Sequence, residues 1–243
     1  MKFLLIIFLI LFSNISFSDY RLGDGKSMLY GEWKVIKDVQ VNNLRIKLVR
    51  SISGQETTSY GTKQKITCRS GNYEIIDFYG IINEDTTFIL EELLKEINIC
   101  KGNYIQRPVV YMSSGGGIYS DGFEVAKVLR KYDVIAAIPW AQKCSSSCAT
   151  AFMGAKHRAI RPRGEIVLHA PYMRDKKGIT CKTDENLKEF YQEMIGSNSL
   201  GERLYKKTMQ FCGPNSGWSA NHDAAELYGI VNYKFNSDKV DFN

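Results

Sequence analysis

The stretch VVYMSSGGG at residues 109–117 places four apolar residues directly before two serines and three glycines. A short apolar run bounded by glycine predicts a buried β-strand that ends in a tight turn. Glycine tolerates positive φ and close approach of the backbone to another group, and the N–H groups of such a turn can hold an anion. A plain strand-to-helix turn without a ligand is the alternative. The stretch is not a phosphate loop, because no Gly-Lys-Ser/Thr follows it.

Strand and helix patterns alternate on both sides of this stretch. Residues 73–82 (YEIIDFYGII) have the composition of a buried strand, and apolar residues then recur at helical spacing from Ile89 to Ile97. A second helix is predicted over about residues 122–131, and another strand over residues 134–138. This alternation predicts an α/β domain built from parallel βαβ units.

A second segment of interest is CSSSC at residues 144–148, which runs directly into the apolar stretch ATAFMG. Small residues followed by an apolar stretch predict a tight loop that enters a buried helix. A serine at such a helix start is favoured as a nucleophile because the helix dipole stabilises negative charge there, and the next N–H can serve as an oxyanion donor. The alternative is that these serines only cap the helix.

The third segment is EIVLHAP at residues 165–171, in which His169 ends a short apolar strand. A histidine at the end of a buried strand can point into a cleft and act as a general base. A purely structural histidine is the alternative, and the segment alone does not decide between the two.

Taken in order, the glycine-rich turn, the serine at a helix start and the histidine at a strand end resemble the Clp protease proteolytic subunit, within the crotonase-like superfamily. The segment AELYGIVN at residues 225–232 is similar to the closing helix and strand of that family. The resemblance covers about residues 73–235. It implies a crotonase/Clp-protease-like α/β fold of stacked βαβ units, here with an N-terminal β-rich extension.

The resemblance also implies a serine endopeptidase-like hydrolase. Ser147 aligns with the family's nucleophile, because Gly-Ala-Lys at residues 154–156 then falls in place downstream. His169 aligns with the general base, which would take the proton from the serine hydroxyl as it attacks an acyl carbon. Water would then hydrolyse the acyl-enzyme, and the expected substrate is a peptide or a protein.

The remaining members of the site follow from the same resemblance. The backbone N–H groups of Gly116 or Gly117 and of Cys148 would stabilise the oxyanion. The aspartate that completes the family's triad is replaced here, since the alignment places Asn215 or Ser216 at that position. An asparagine can orient a catalytic histidine, although a serine–histidine dyad also fits.

Two other interpretations remain open, and a third is disfavoured. A signal-peptide-peptidase-type enzyme shares the superfamily fold but pairs serine with lysine, for which Lys143 or Lys156 could serve. A catalytically degenerate fold used for binding or as a scaffold would explain the missing aspartate. An α/β-hydrolase is disfavoured because the chain has no G-x-S-x-G motif.

The N-terminus has the pattern of a secretory signal peptide. Lys2 precedes an apolar run at residues 3–12, and small residues then stand at alternate positions up to Ser18. This pattern predicts cleavage after Ser18 and a periplasmic or secreted protein. The alternative is an uncleaved membrane anchor formed by residues 3–17.

An exported chain with an even number of cysteines is expected to form disulfides, and six cysteines are present. Cys144 with Cys148 would bridge the serine loop, provided that Cys144 lies outside the helix. The other pairs, by proximity in sequence, would be Cys68 with Cys100 and Cys181 with Cys212. Neither a metal nor another cofactor is expected, since no two cysteines form a C-x-x-C pair.

Residues 19–72 are predicted to be β-rich, because residues 44–48 (LRIKL) alternate strictly between apolar and basic side chains. They would form an extra sheet layer or a small lobe beside a Clp-protease-like domain at residues 73–243. The net charge of +6 is spread over the chain, so no nucleic-acid partner is expected. The resemblance allows a homo-oligomer, while export excludes a cytoplasmic ATP-driven unfoldase as a partner.

Overall fold

The computed structural model describes residues 20–25, 27–29, 32–51, 55–57, 63–65, 73–97, 107–213 and 215–234. The predicted signal peptide, its membrane-anchor alternative, Cys68 and Cys100 all lie outside these ranges. None of the helices in the described ranges combines the length and the apolar character needed to cross a membrane.

The strands, in chain order, are β1 (Tyr20–Leu22), β2 (Ser27–Leu29), β3 (Trp33–Val41), β4 (Leu44–Ser51), β5 (Gln55–Thr57), β6 (Lys63–Lys65), β7 (Tyr73–Ile82), β8 (Val109–Gly117), β9 (Ile135–Ile138), β10 (Lys143–Ser145), β11 (His157–Ile160), β12 (Glu165–Leu168), β13 (Tyr172–Asp175), β14 (Gly178–Cys181) and β15 (Trp218–Ala220). The helices are α1 (Thr86–Glu96), α2 (Tyr119–Lys131), α3 (Ser147–Gly154), α4 (Glu185–Ile195), α5 (Asn198–Met209) and α6 (His222–Leu227).

A mixed sheet of nine strands organises the described part of the chain. Its main order is β15-β12-β10-β8-β7-β4-β3, while β9 pairs with β8 and β11 pairs with β9. The pairs among β7 to β12 are parallel, whereas the β3–β4, β4–β7 and β12–β15 pairs are antiparallel. Helices α1, α2 and α3 each connect two of the parallel strands. The predicted α/β class with stacked βαβ units is therefore confirmed.

Strand β8 changes neighbours along its length. Residues Val109 to Tyr111 pair with β9, whereas Ser114 pairs with Cys144 of β10. The strand thus belongs to one part of the sheet at its start and to another at its end. This change brings the glycine-rich turn beside the loop that carries the three serines.

Small residues let α2 and α3 approach each other closely beneath that turn. A Cβ atom added to Gly154 would lie 2.3 Å from the Cβ of Ala126, and one added to Gly122 would lie 2.9 Å from the Cβ of Ser147. Atoms this close would overlap, so both glycines are required by the packing. Every residue of α3 is buried, as expected from its apolar sequence.

The N-terminal extension joins the main sheet. The predicted strand at residues 44–48 is present in β4, which buries Leu44, Ile46 and Leu48 and pairs with β7 along its whole length. Strands β3 and β4 therefore extend the sheet by a hairpin, and the expected separate layer or lobe is not what these two strands form. The boundary at residue 72 stays a prediction about domain organisation.

Strand β1 is attached to the main sheet by the side chain of Asp77 in β7. Asp77 is 2% exposed and accepts hydrogen bonds from the Tyr20 hydroxyl, at 2.8 Å, and from the backbone N–H of Gly23. Burial raises the pKa of Asp77 to about 6, although the Tyr20 hydrogen bond and the nearby charges of Lys47 and Arg45 act in the opposite direction. The unfavourable burial of the ionised carboxylate thus outweighs the favourable interactions with its partners.

This raised pKa predicts a specific dependence of stability on pH. Because the pKa in the folded state lies above the ordinary value of 3.8, the stabilisation linked to protonated Asp77 is fully present below about pH 4 and is lost as pH rises through about 6. Relative to an Asp77→Asn variant, the wild type should lose roughly 3 kcal/mol of its free energy of unfolding over that range. Urea unfolding of both proteins between pH 4 and 7 measures the difference, and parallel curves would contradict it.

Candidate active site

The end of β8, the start of α3 and the end of β12 meet around a cavity of about 210 Å³. Its lining includes Gly117, Ser146 and His169, together with the aromatic rings of Tyr119 and Tyr191. The cavity therefore combines the three segments that the sequence marked: the glycine-rich turn, the serine loop and the histidine.

The three consecutive serines have different surroundings. Ser145 lines a separate groove of about 780 Å³, and Ser146 lines the cavity that holds His169. Ser147 is 1% exposed, packs on Gly122 of α2, and its Oγ has no hydrogen-bond partner. The structure thus brings Ser146 together with His169 and places the hydroxyl of Ser147, the predicted nucleophile, in the protein interior.

An unusual backbone conformation turns Ser146 into the cavity. Its φ is 58° and its ψ is −126°, a combination that costs a non-glycine residue about 1–3 kcal/mol. Its N–H donates to the carbonyl of Val167 at 2.9 Å, and its own carbonyl accepts from the N–H groups of Ala149 and Thr150. The neighbouring strand β12 and the helix that follows Ser146 therefore both hold the strained residue in place.

Gly116 supplies the room that this conformation needs. Its φ is 102°, and an added Cβ would lie 2.6 Å from the Cβ of Ser146 and 2.8 Å from the carbonyl oxygen of Ser145. The neighbouring Gly115 has no atom within 4 Å of the position of such a Cβ. Of these two glycines, only Gly116 is required by its contact with the serine loop.

Two disulfides stabilise the surroundings of the cavity, and both were predicted. Cys144 in β10 is bonded to Cys148 in α3, so the bridge spans the three serines and Cys144 lies outside the helix, as expected. Cys181 at the end of β14 is bonded to Cys212. Since Cys212 also forms a β-bridge with Ala170, this second disulfide supports the segment that directly follows His169.

His169 directly follows β12 and is partly exposed in the cavity. Its Nδ1 lies 2.9 Å from the carbonyl oxygen of Ala170. Because a carbonyl can only accept, this hydrogen bond assigns the proton to Nδ1 and leaves Nε2 as the basic nitrogen. The ring also lies against Tyr172, with 5.4 Å between the ring centroids.

The expected third member of a triad is not found at the histidine. Asn215 is exposed, and the hydroxyl of Ser216 donates to the carbonyls of Cys212 and Gly213. Among the residues that the structure describes, no carboxylate lies within ion-pair distance of the His169 ring. A backbone carbonyl takes the orienting position instead, and sequence motifs contain no signal for such a partner.

The expected oxyanion donors differ in whether their backbone N–H groups are already hydrogen-bonded. The N–H of Gly116 donates to the Oγ of Ser114 at 3.0 Å, whereas Gly117 lines the cavity. If Ser146 is the reactive residue, the next N–H along the chain belongs to Ser147 rather than to Cys148. Ser147 is the first residue of α3, and the first N–H groups of a helix have no partner within the helix.

The two lysines considered for a serine–lysine dyad are paired elsewhere. The Nζ of Lys143 lies 2.9 Å from a carboxylate oxygen of Glu165, and Lys143 lines the larger groove. The Nζ of Lys156 lies 3.6 Å from Asp133. Neither lysine lines the cavity that holds Ser146 and His169.

No family model and no curated protein matches the sequence. Among solved structures, the chain is similar to ClpP1 from Listeria monocytogenes, with 18% identity, a TM-score of 0.44, and coverage of 62% of this chain and 84% of the other. It is also similar to a mutant of the 1510-N membrane-bound stomatin-specific protease, with 10% identity, a TM-score of 0.48, and coverage of 62% and 73%. A Clp protease subunit, the protein that the sequence motifs resemble, is thus among the solved structures to which this chain is similar.

The contact between Gly116 and Ser146 makes a testable prediction about stability. A Gly116→Ala variant should lose about 2–3 kcal/mol, because the added methyl group overlaps Ser146 and alanine disfavours a positive φ. For a chain of this size the midpoint of thermal unfolding should fall by about 5–10 °C. A Gly115→Ala variant is the matched control and should unfold within about 2 °C of the wild type. Equal unfolding temperatures for the two variants would contradict the contact.

Proposed function

We propose that the protein is a serine hydrolase that uses Ser146 as its nucleophile and His169 as its general base, in place of the Ser147–His169 pair expected from the motifs. The observation that carries this proposal is the shared cavity, because only Ser146 among the three serines lines it together with the histidine. The strained backbone of Ser146 adds support, since nucleophilic serines often sit on a sharp turn between a strand and a helix.

The reaction would proceed through an acyl-enzyme. The Nε2 atom of His169 takes the proton of the Ser146 hydroxyl as Oγ attacks the acyl carbon, and the carbonyl oxygen becomes an oxyanion. The N–H groups of Ser147 and Gly117 are the proposed donors to that oxyanion, each contributing about 3 kcal/mol to catalysis. His169 then returns the proton to the leaving group. Water, deprotonated by the same histidine, hydrolyses the ester and restores the Ser146 hydroxyl.

The group that orients His169 is a neutral carbonyl rather than a carboxylate. The carbonyl of Ala170 holds the ring and selects its tautomer, but it is neutral and stabilises the imidazolium less than a carboxylate would. The site is therefore expected to act as a serine–histidine dyad that turns over slowly. Asn215 has no role in this mechanism, because it is exposed and makes no hydrogen bond to the ring.

A peptide or protein is the proposed substrate class, on the strength of the motif resemblance to the Clp protease subunit. A cavity of about 210 Å³ lined by Leu168, Leu187 and Tyr191 has room for one amino-acid side chain beside the reactive serine. On the strength of the same resemblance, the protein is proposed to form a homo-oligomer.

The proposed location is the periplasm or the exterior of the cell. The two disulfides among the described residues are of the kind that forms in an oxidising compartment. Cleavage of a signal peptide after Ser18 would deliver the chain there. No ATP-driven unfoldase would then assist the enzyme, so the proposed substrates are segments that are already unfolded.

A binding or scaffold protein is the second candidate function. It is favoured by one observation, the absence of a carboxylate beside His169 among the described residues. Such a protein would keep the cavity for recognition and would not form an acyl-enzyme.

Labelling with a fluorophosphonate probe separates the two candidates and identifies the serine. The wild type and a Ser147→Ala variant should both be phosphonylated, and peptide mapping by mass spectrometry should find the adduct on Ser146. A Ser146→Ala variant should lose at least about 100-fold of the labelling rate, since no other serine of the loop shares the cavity with His169. A Ser145→Ala variant is the control and should label normally. An adduct on Ser147, or a wild type that does not label, would refute the assignment.

The two disulfides should differ in their effects on stability and reactivity. The longer loop closed by Cys181–Cys212 predicts a loss of roughly 4 kcal/mol when both cysteines become alanine, compared with roughly 2 kcal/mol for Cys144–Cys148. The rate at which Ser146 is labelled should fall more when the Cys144–Cys148 bridge is removed than when Cys181–Cys212 is removed. Only the Cys144–Cys148 bridge spans Ser146. Denaturant unfolding and labelling rates of the two double variants test this. If reactivity simply followed stability, the short bridge would have no specific part in ordering the site.

A further inference from the structure

The segment at residues 20–24, called here the N-terminal strap, connects the extension to the catalytic loops. Its Leu22 is 1% exposed and belongs to the smaller of two hydrophobic clusters, which also contains Ile75 of β7 and Tyr111 of β8. Tyr20 and Gly23 donate hydrogen bonds to the buried carboxylate of Asp77. The strap is therefore fixed to the main sheet by both apolar and polar contacts.

At its end the strap meets a buried glutamine. The Nε2 of Gln142 donates to a carboxylate oxygen of Asp24, and the Oε1 of Gln142 accepts from the hydroxyl of Ser113 at 2.6 Å. Gln142 is 3% exposed and Ser113 is 4% exposed. The Gln142 amide thus links three segments that are far apart in sequence: the strap, the end of β8 and the residue before β10.

Ser113 and Gln142, which share a hydrogen bond, both stand a few residues before the contact between Gly116 and Ser146. Ser113 lies three positions before Gly116, which packs on Ser146, and Gln142 lies four positions before Ser146 itself. The backbone carbonyl of Gln142 also accepts from the N–H of Glu165, the first residue of the strand that leads to His169. Its side chain therefore spans the two loops that must meet for Ser146 to pack against Gly116.

We infer that Gln142 is a positioning residue for the proposed hydrolase, and that Asp24 in the N-terminal strap orients it. The amide holds the serine loop at a fixed distance from the glycine-rich turn. The strap, in turn, fixes which way the amide faces, because a carboxylate can only accept and so selects the Nε2 side of Gln142. The extension thereby takes part in assembling the active site, although none of its described residues lines the cavity that holds Ser146. This inference rests on the proposed function.

The polarity of this hydrogen-bond chain can be reversed by substitution. In a Gln142→Glu variant the new carboxylate would lie at a buried position and face the carboxylate of Asp24, which should separate the loops. In an Asp24→Asn variant the new side-chain oxygen can still accept from Gln142, so this protein is the matched control. In the double variant, the amide introduced at position 24 can donate to the carboxylate introduced at position 142. That carboxylate still accepts a hydrogen bond from Ser113, so both hydrogen bonds of residue 142 are restored.

The rate of Ser146 labelling by a fluorophosphonate probe is the first measurement. Gln142→Glu should slow it by about tenfold or more, Asp24→Asn should leave it within about twofold of the wild type, and the double variant should return to within about threefold. Rescue by adding a second substitution is not expected from a merely destabilising change. A Gln142→Glu protein that labels at the wild-type rate, or a double variant that stays slow, would overturn the inference while leaving the proposed function intact.

Hydrogen exchange of the backbone amides at residues 143–149 is the second measurement, and it does not depend on activity. Exchange there should be faster in Gln142→Glu than in the wild type and should be slow again in the double variant. If the wild type is not labelled at all, the proposed function fails. The exchange pattern then still decides whether Gln142 positions the loop: unchanged exchange in Gln142→Glu would refute it.

Discussion

The backbone of Ser146 is the constraint on which the rest of the site depends. With φ at 58° and ψ at −126°, the residue persists only because its surroundings outweigh the strain. A hydrogen bond to Val167 holds it from the strand side, the first turn of α3 holds it from the helix side, and Gly116 leaves room for its Cβ. The disulfide across the loop restrains it further. The result is that one serine of the three lines the cavity that holds the histidine.

The sheet and one buried cation keep the helix beneath that serine in place. Strand β8 passes from β9 to β10, and this brings the glycine-rich turn against the serine loop. At the other end of α3, the guanidinium of Arg158 is 1% exposed and donates to the carbonyls of Ala155, Gly229 and Ile230. Burial lowers the pKa of Arg158 to about 10, so it stays charged at neutral pH. The helix is thus fixed at both ends, by a disulfide and by a charged hydrogen-bond donor.

Much of this architecture could be predicted from sequence, because it depends on periodicity. Strand β7 has the predicted bounds of residues 73–82, and the pairing of Cys144 with Cys148 was expected from their spacing in a chain predicted to be exported. The choice among three adjacent serines could not be predicted in the same way, since a single positive φ decides which hydroxyl enters the cavity. Two further contacts could not be predicted either: the carbonyl of Ala170 beside His169, and Asp24 with Gln142. Both depend on tertiary packing rather than on a local sequence pattern.

A crystal structure of the protein after reaction with a fluorophosphonate would test the assignment of Ser146 most directly. If Ser146 is the nucleophile, the phosphorus is bonded to its Oγ, and the phosphoryl oxygen lies about 3 Å from the N–H groups of Ser147 and Gly117. The Nε2 of His169 should then lie within hydrogen-bond distance of the Ser146 Oγ, with Nδ1 still donating to Ala170. Phosphorus bonded to Ser147 or Ser145, or a His169 ring turned out of the cavity, would contradict this chemistry.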